Sequence, residues 1–172
     1  RALARRLLGI NPGLSIQVVE LSLQDISREE LGRAVSNNDL VVGATDDLHA
    51  QRVLNHLAYA LGKPAVFAGA YAGAKGGEVI FTVPEQTSCY LCATLARLQF
   101  EGDANGVSSA TDYGTGRLPG EVALAVDIHT IAAAATKICL SLLVLDDPSA
   151  SLGMFTRAQI EHGDNYLTLA MT

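Results

Sequence analysis

Thr45, Asp46 and Asp47 form the most suggestive polar cluster of the sequence, because they directly follow the apolar run 39–44. In open α/β sheets, ligands bind beyond the carboxyl ends of parallel strands. A helix that starts there offers free N–H groups to an anion. One carboxylate could therefore hold a Mg²⁺ ion that accompanies a nucleotide phosphate, or it could simply cap the helix. The three residues alone leave both interpretations open.

Cys89 and Cys92 form a C-x-x-C motif, which is typical of half a zinc site or of a redox pair. A structural zinc ion needs about four ligands, yet the remaining cysteine, Cys139, lies inside a long apolar run and no histidine has metal-ligand spacing. A complete zinc site is therefore not expected within this chain. A redox pair is also disfavoured, because the motif does not follow the first strand of a βαβ pattern. The third interpretation is two buried small side chains at a helix start.

The segment 101–120 is long, polar and rich in glycine. Loops of this length in compact domains are usually functional or mobile, so the segment is predicted either to move over a ligand or to be a plain connection. Its hydrogen-bonding side chains are Ser108, Ser109, Thr111, Asp112, Tyr113 and Arg117. No G-x-S-x-G, G-x-x-x-x-G-K-[ST] or H-E-x-x-H motif is present, and no G-x-G-x-x-G follows a first strand.

The first 70 residues predict a βαβ unit preceded by a helix and a further strand. Capping residues and Gly/Pro stops set the helix ends, with Ser27 as an N-cap. The short apolar strands suit a parallel sheet that is buried on both faces. The predicted elements are a helix at 1–10, a strand at 15–21, a helix from 27 to about 35, a strand at 39–44, a helix to about 61 and a strand at 65–70.

The second half of the chain predicts a different arrangement. A Gly-rich turn around Gly73, Gly76 and Gly77 precedes a strand at 78–83, which is expected to run antiparallel to its neighbours. The remaining predicted elements are a helix at 89–98, a long Ala-rich helix at 121–145, and strands at 152–157 and 166–171 that form a hairpin. Charged residues interrupt the long helix, which favours a core helix over a membrane span.

Composition excludes several classes of protein. The chain has 172 residues, 49% of them hydrophobic, with a net charge of −6. This balance predicts one folded domain rather than a disordered chain. An acidic pI of about 5.1 argues against a general basic surface for nucleic acid. No signal peptide is recognisable. No capping residue precedes Arg1 in its predicted helix, so the chain is expected to be a piece of something longer.

An ordered set of motifs resembles the ThiF/MoeB/E1 superfamily, whose members activate ubiquitin and ubiquitin-like sulfur carriers. The resemblance covers residues 1–100 well and continues more loosely through the helix at 121–145. The motifs, in order, are Ile10-Asn11-Pro12, Asp39-Leu-Val-Val-Gly-Ala-Thr-Asp-Asp47, Gly62-Lys-Pro64, Gly77-Glu-Val79 and Cys89-Tyr-Leu-Cys92.

The resemblance implies a Rossmann-like α/β fold, a mixed sheet flanked by helices, truncated at its N-terminus. Residues 1–172 would form one partial domain, with a βαβ part at 1–70 and a mixed or antiparallel part at 71–172. The implied activity is ATP-dependent adenylation of a carrier's C-terminal glycine carboxylate in a cytoplasmic, homodimeric enzyme, with no nucleic acid or membrane partner. Segment 101–120 matches the place of the family's crossover over the carrier's tail.

The resemblance also implies site residues. Asp46 matches the Asp of the family's Thr-Asp-Asn motif and would act in catalysis through Mg²⁺ and phosphate. Thr45, Asp47 and Arg52 would join it at the ATP site. Cys89 and Cys92 match a pair that usually forms half of a zinc site.

Several departures from the family pattern stand beside these matches. Asp47 replaces the motif's Asn, and Gln51 occupies the place of a usual Arg. The family's second Cys pair is not found. Also not found are the Gly-rich phosphate loop, the acidic residue that binds ribose, and the Arg and Lys that bind phosphate. These nucleotide-binding groups would lie before Arg1. The 172 residues alone are therefore expected to be inactive. Two alternatives remain: a non-catalytic interaction or dimerisation module, and another NAD- or FAD-binding Rossmann-type protein.

Overall fold

The computed structural model describes residues 1–45, 47–71, 76–95 and 123–170. The described helices are Ala2–Ile10 (α1), Arg28–Ser36 (α2), Leu48–Ala60 (α3), Tyr90–Ala93 (α4), Ala125–Leu143 (α5) and Met154–Glu161 (α6). The described strands are Val41–Gly43 (β1), Ala65–Ala70 (β2), Gly76–Thr82 (β3) and Tyr166–Ala170 (β4). Short 3₁₀ turns lie at Leu23–Asp25 and Ser151–Gly153.

The strands form one mixed sheet in the order β1-β2-β3-β4. β1 and β2 are parallel, with Gly43 opposite Phe67, and α3 connects them. β3 runs antiparallel to β2 and to β4. The predicted βαβ unit and the predicted antiparallel strand at 78–83 are therefore confirmed.

Helices cover both faces of this sheet. On one face, α5 packs against β3, where Ile131 and Ile138 meet Val79 and Phe81. On the other face, α3 and α4 enclose a second cluster that contains Ile80, Phe67 and Tyr90. Alternation along β3 sends neighbouring side chains to opposite faces. The predicted mixed α/β sheet flanked by helices is confirmed.

The predicted helix ends agree with the structure where capping chemistry fixes them. The hydroxyl of Ser27 accepts a hydrogen bond from the N–H of Glu30 at 3.2 Å. Asp47 is the N-cap of α3, and Gly62 follows that helix with a φ of +67°. A left-handed φ of this kind is easily adopted only by glycine, which explains why Gly62-Lys63-Pro64 ends the helix.

The predicted strand at 15–21 is wrong. This segment pairs with no strand in the described part of the chain, and Val18, Val19 and Leu21 are exposed. β-branched residues favour an extended backbone, but a strand needs a partner for its N–H and C=O groups. The prediction that 39–44 is buried on both faces is also wrong, since the side chain of Val42 in the shorter strand β1 is half exposed.

The predicted hairpin near the end of the chain is half wrong. Residues 152–157 belong to a 3₁₀ turn and to α6, whereas β4 matches the predicted strand at 166–171 and pairs with β3. Arg157 donates hydrogen bonds to the carbonyl oxygens of Leu145, Asp147 and Ala150. These contacts hold the segment as a helix beside α5, so its apolar residues do not line one side of a sheet.

The long helix α5 has the length and hydropathy that crossing a bilayer requires. Its buried residues, however, form one stripe against the sheet: Ile131, Ala135, Ile138 and Leu142. Their spacing of three and four residues places them on one helix face. One face of α5 thus packs in the core of the sheet, and the prediction of a core helix rather than a membrane span stays a prediction for the helix as a whole.

Candidate functional site

The turn between β1 and α3 lies at the carboxyl edge of the parallel strand pair. The hydroxyl of Thr45 accepts a hydrogen bond from the N–H of Asp47 at 2.9 Å. The carboxylate of Asp47 in turn accepts the N–H of His49 at 2.8 Å. Asp46 lies outside the described residues, so its predicted role stays a prediction. The turn is held by its own side chains, and Asp47 acts as a helix cap.

Gln51, one turn into α3, joins this turn to a distant part of the chain. Its side-chain N–H donates to the carbonyl of Thr45 at 2.7 Å. Its side-chain oxygen accepts a hydrogen bond from the hydroxyl of Tyr90. Gln51 is only 7% exposed, whereas the neighbouring Arg52 is exposed. Sequence reasoning assigned Arg52 to the site and noted Gln51 only as a departure from the family pattern, although a glutamine on the apolar face of α3 was a usable signal.

The two cysteines flank the start of the short helix α4. Their Sγ atoms are 3.6 Å apart. Although partial burial opposes it, hydrogen bonds from the backbone and thiol of Cys92 hold the pKa of Cys89 below its usual value. The same contact with Cys89 raises the pKa of Cys92. The pair would therefore lose its first proton mainly from Cys89.

The described residues do not complete a zinc site around these thiols. Cys89 and Cys92 supply two of the four ligands that a structural zinc ion needs. No group of three or more His, Cys, Asp or Glu side chains suited to a metal ion occurs in residues 1–45, 47–71, 76–95 and 123–170. Cys139 packs against the core cluster on the α5 face of the sheet, across from α4.

A second polar cluster lies where β2 ends. Glu78 on β3 pairs with Gly69 near the end of β2, and its side chain is only 4% exposed. The hydroxyls of Tyr71 and Tyr166 both donate to its Oε2 atom, the first at 3.2 Å. These three residues tie the end of β2 to β3 and β4. Sequence reasoning missed this cluster, because its members are up to 95 positions apart.

Burial, followed by the hydrogen bond to the Glu78 carboxylate, raises the pKa of Tyr166 above its usual value. The unfolded chain therefore loses this proton first, and the folded state loses stability as the pH rises above about 10. We expect Tyr166→Phe to show a shallower loss of stability between pH 9.5 and 11 than the unmodified chain. Urea unfolding across that pH range measures the difference, and equal slopes would contradict the prediction.

Segment 101–120, predicted to cross over a ligand, lies outside the described residues, and so does Gly73. The described carboxyl edge thus contains Thr45, Asp47 and Gln51, with the Tyr71 and Glu78 pair at the end of the adjacent strand. A helix N-terminus beside a parallel strand pair is suited to a negatively charged ligand.

Comparison with known proteins gives one family and several relatives. A family model described as the ThiF family matches residues 1–170. The sulfur carrier protein ThiS adenylyltransferase of Escherichia coli K12 is 30% identical over 88 residues, which are 51% of this chain and 34% of that protein.

Solved structures give the same fold at lower identity. E. coli MccB with succinimide superposes with a TM-score of 0.56 and 18% identity, covering 80% of this chain and 37% of MccB. MccB with ATP gives a TM-score of 0.53 and 19% identity, with 79% and 37% covered. The chain thus spans about a third of the length of these relatives.

Proposed function

The chain belongs to the ThiF family, and from that premise we propose that it carries part of an ATP-dependent adenylyltransferase site. The substrate class proposed is the C-terminal glycine carboxylate of a ubiquitin-like or sulfur-carrier protein. That carboxylate attacks the α-phosphate of ATP, a carboxyl-phosphate bond forms, and pyrophosphate leaves. The sulfur carrier adenylyltransferase among the relatives supports the reaction class.

The hydrogen bond between Thr45 and Asp47 is the observation that carries this proposal. Thr45 comes two residues after a strand of the parallel pair, and Asp47 is the N-cap of α3. The positive end of that helix favours phosphate oxygens. Asp47 already caps the helix, which leaves Asp46 as the carboxylate proposed to bind Mg²⁺. A bound Mg²⁺ ion would neutralise charge on the phosphates.

The donor set at this turn is consistent with nucleotide and Mg²⁺, because Mg²⁺ prefers carboxylate oxygens and phosphate oxygens as ligands. A solved structure of MccB contains ATP, which supports ATP as the nucleotide for this fold. Thr45 and Asp47 would shape the turn, and Arg52, exposed on α3, is proposed to reach a phosphate.

The 172 residues contain no G-x-G-x-x-G phosphate loop after a first strand. We propose that a full-length protein supplies this loop and that the 172-residue chain alone does not adenylate. The test is ATP–pyrophosphate exchange with a panel of β-grasp carriers that end in Gly-Gly. We expect exchange from the full-length protein with its cognate carrier and none from the 172-residue chain.

Two results would contradict this proposal. One is a full-length protein that binds ATP but shows no exchange with any carrier of the panel. The other is exchange by the 172-residue chain at the rate of the full-length protein. A carrier with its terminal glycine removed is the control, because it lacks the carboxylate in the required position.

A non-catalytic interaction module is the second candidate, and exposed apolar side chains favour it. In α1, Leu3 is 68% and Ile10 is 76% exposed, and no residue of the helix is buried. Contiguous exposed apolar surface often marks a contact with another protein. We propose a homodimer as the assembly, and light scattering that gives a clean monomer would contradict it.

A further inference from the structure

A hydrogen-bonded relay, buried at its Tyr90 end and partly buried at its Thr45 end, connects the Cys-x-x-Cys segment to the turn after β1. The hydroxyl of Tyr90, which lies between the two cysteines, donates to the side-chain oxygen of Gln51. The side-chain nitrogen of Gln51 donates to the carbonyl of Thr45 at 2.7 Å. Tyr90 and Gln51 are 39 positions apart in the chain. The relay ends one residue before Asp46.

Tyr90 is rigidly held at its end of the relay. Its side chain is 1% exposed, and its ring packs on Phe67 with a centroid distance of 4.5 Å. Its backbone N–H donates to the side chain of the buried Asn55 at 2.9 Å. Asn55 and Gln51 lie one turn apart on α3, so two side chains of the same helix accept hydrogen bonds from Tyr90. The position of Tyr90 therefore determines where the Gln51 amide can point.

A glutamine is chemically suited to this relay. Its amide accepts one hydrogen bond through oxygen and donates through nitrogen, so it can satisfy a phenol and a carbonyl at once. An arginine, which has donors and no acceptor, could not accept the Tyr90 hydroxyl. The Thr45 carbonyl is only partly buried, so without Gln51 it would lose this hydrogen bond and water could take the place of the amide, and the turn would be held less firmly.

We propose that Gln51 is a positioning residue, which fixes the backbone at Thr45, at the carboxyl end of β1 and just before α3. This inference rests on the proposed function for its consequence in catalysis, but the relay itself can be tested without activity. Through Tyr90, the Cys-x-x-Cys segment would determine the geometry of the nucleotide edge.

The test compares Gln51→Met and Tyr90→Phe with His56→Gln, a control on the exposed face of the same helix. Methionine keeps the length of the side chain and loses both hydrogen bonds, whereas phenylalanine keeps the ring and loses only the hydroxyl. In the 172-residue chain, amide hydrogen exchange at residues 45–47 is measured by NMR. We expect exchange roughly two- to tenfold faster in Gln51→Met, the range of one lost hydrogen bond, a smaller rise in Tyr90→Phe, and none in His56→Gln.

In the full-length protein, the same variants are assayed by ATP–pyrophosphate exchange. We expect the KM for ATP to rise in Gln51→Met while kcat changes less, because a displaced turn weakens binding more than chemistry. If Gln51→Met does not fold, the amide exchange and the KM for ATP are measured in Tyr90→Phe, which also interrupts the relay, and these two values test the positioning role. Amide exchange and KM values equal to those of His56→Gln would overturn the positioning role. Absence of ATP–pyrophosphate exchange in the unmodified full-length protein would overturn the proposed function. The amide exchange measured by NMR would still show whether Gln51 holds the turn.

Discussion

Replacing Asp46 with asparagine is expected to lower carrier-dependent ATP–pyrophosphate exchange by about 10²- to 10³-fold, the loss seen when one electrostatic contact to a transition state is removed. Asparagine keeps the size of the side chain and removes its charge. The amide would bind Mg²⁺ more weakly than the carboxylate, since a divalent ion prefers charged oxygen ligands. The rate of exchange in the full-length protein, at saturating carrier, measures the effect.

Asp39→Asn is the matched control, because it makes the same change on an exposed residue just before β1. We expect it to leave the exchange rate unchanged. Asp47→Asn is informative for a different reason. Asparagine caps a helix as well as aspartate does, so this variant removes charge from the turn without removing the cap to His49. A loss in Asp46→Asn no larger than the loss in Asp39→Asn would contradict the role of Asp46.

Replacing Phe81 with alanine is expected to have the largest effect on stability. Phe81 lies on β3, pairs with Val66 on β2, and its fully buried side chain packs in the cluster beneath α5. Removing a buried phenylalanine ring costs about 3–5 kcal/mol through lost burial and the cavity that remains. Because domains of this size are stable by only about 5–15 kcal/mol, a large part of the unfolding free energy would be lost.

Val42→Ala is the control for this prediction. Val42 is also a strand residue, but its side chain is half exposed on β1, so we expect a cost below about 1 kcal/mol. Urea unfolding followed by circular dichroism measures both variants. The core assignment would be wrong if the two variants lowered the unfolding midpoint by the same amount.

Local patterns predicted the elements that local chemistry determines. Ser27 and Asp47 cap helices because their side chains reach N–H groups a few residues ahead. Gly62 ends a helix because it adopts a left-handed backbone. The apolar run at 65–70 matches β2 residue for residue. Such features need no distant partner, and the ordered motifs were sufficient to indicate the family that the comparison with known proteins shows.

The wrong predictions concern segments whose secondary structure depends on contacts with residues far away in the chain. Residues 15–21 have the composition of a strand, but no described strand lies beside them to receive their hydrogen bonds. Residues 152–157 were predicted as a strand, yet Arg157 donates hydrogen bonds to three carbonyl oxygens just after α5, and the segment forms a 3₁₀ turn and the start of α6. Backbone pairing is long-range, so composition alone does not decide between these outcomes.

The candidate site divides in the same way. The sequence by itself indicated the polar residues Thr45 and Asp47 between a strand and a helix, and the C-x-x-C motif. Only the tertiary structure decided that Gln51 joins Thr45 to Tyr90, and that Tyr71 and Tyr166 share the Glu78 carboxylate. Residues far apart in the chain meet through the packing of α3, α4 and the sheet. A buried polar group must find a partner wherever the fold places one, and only the fold specifies which.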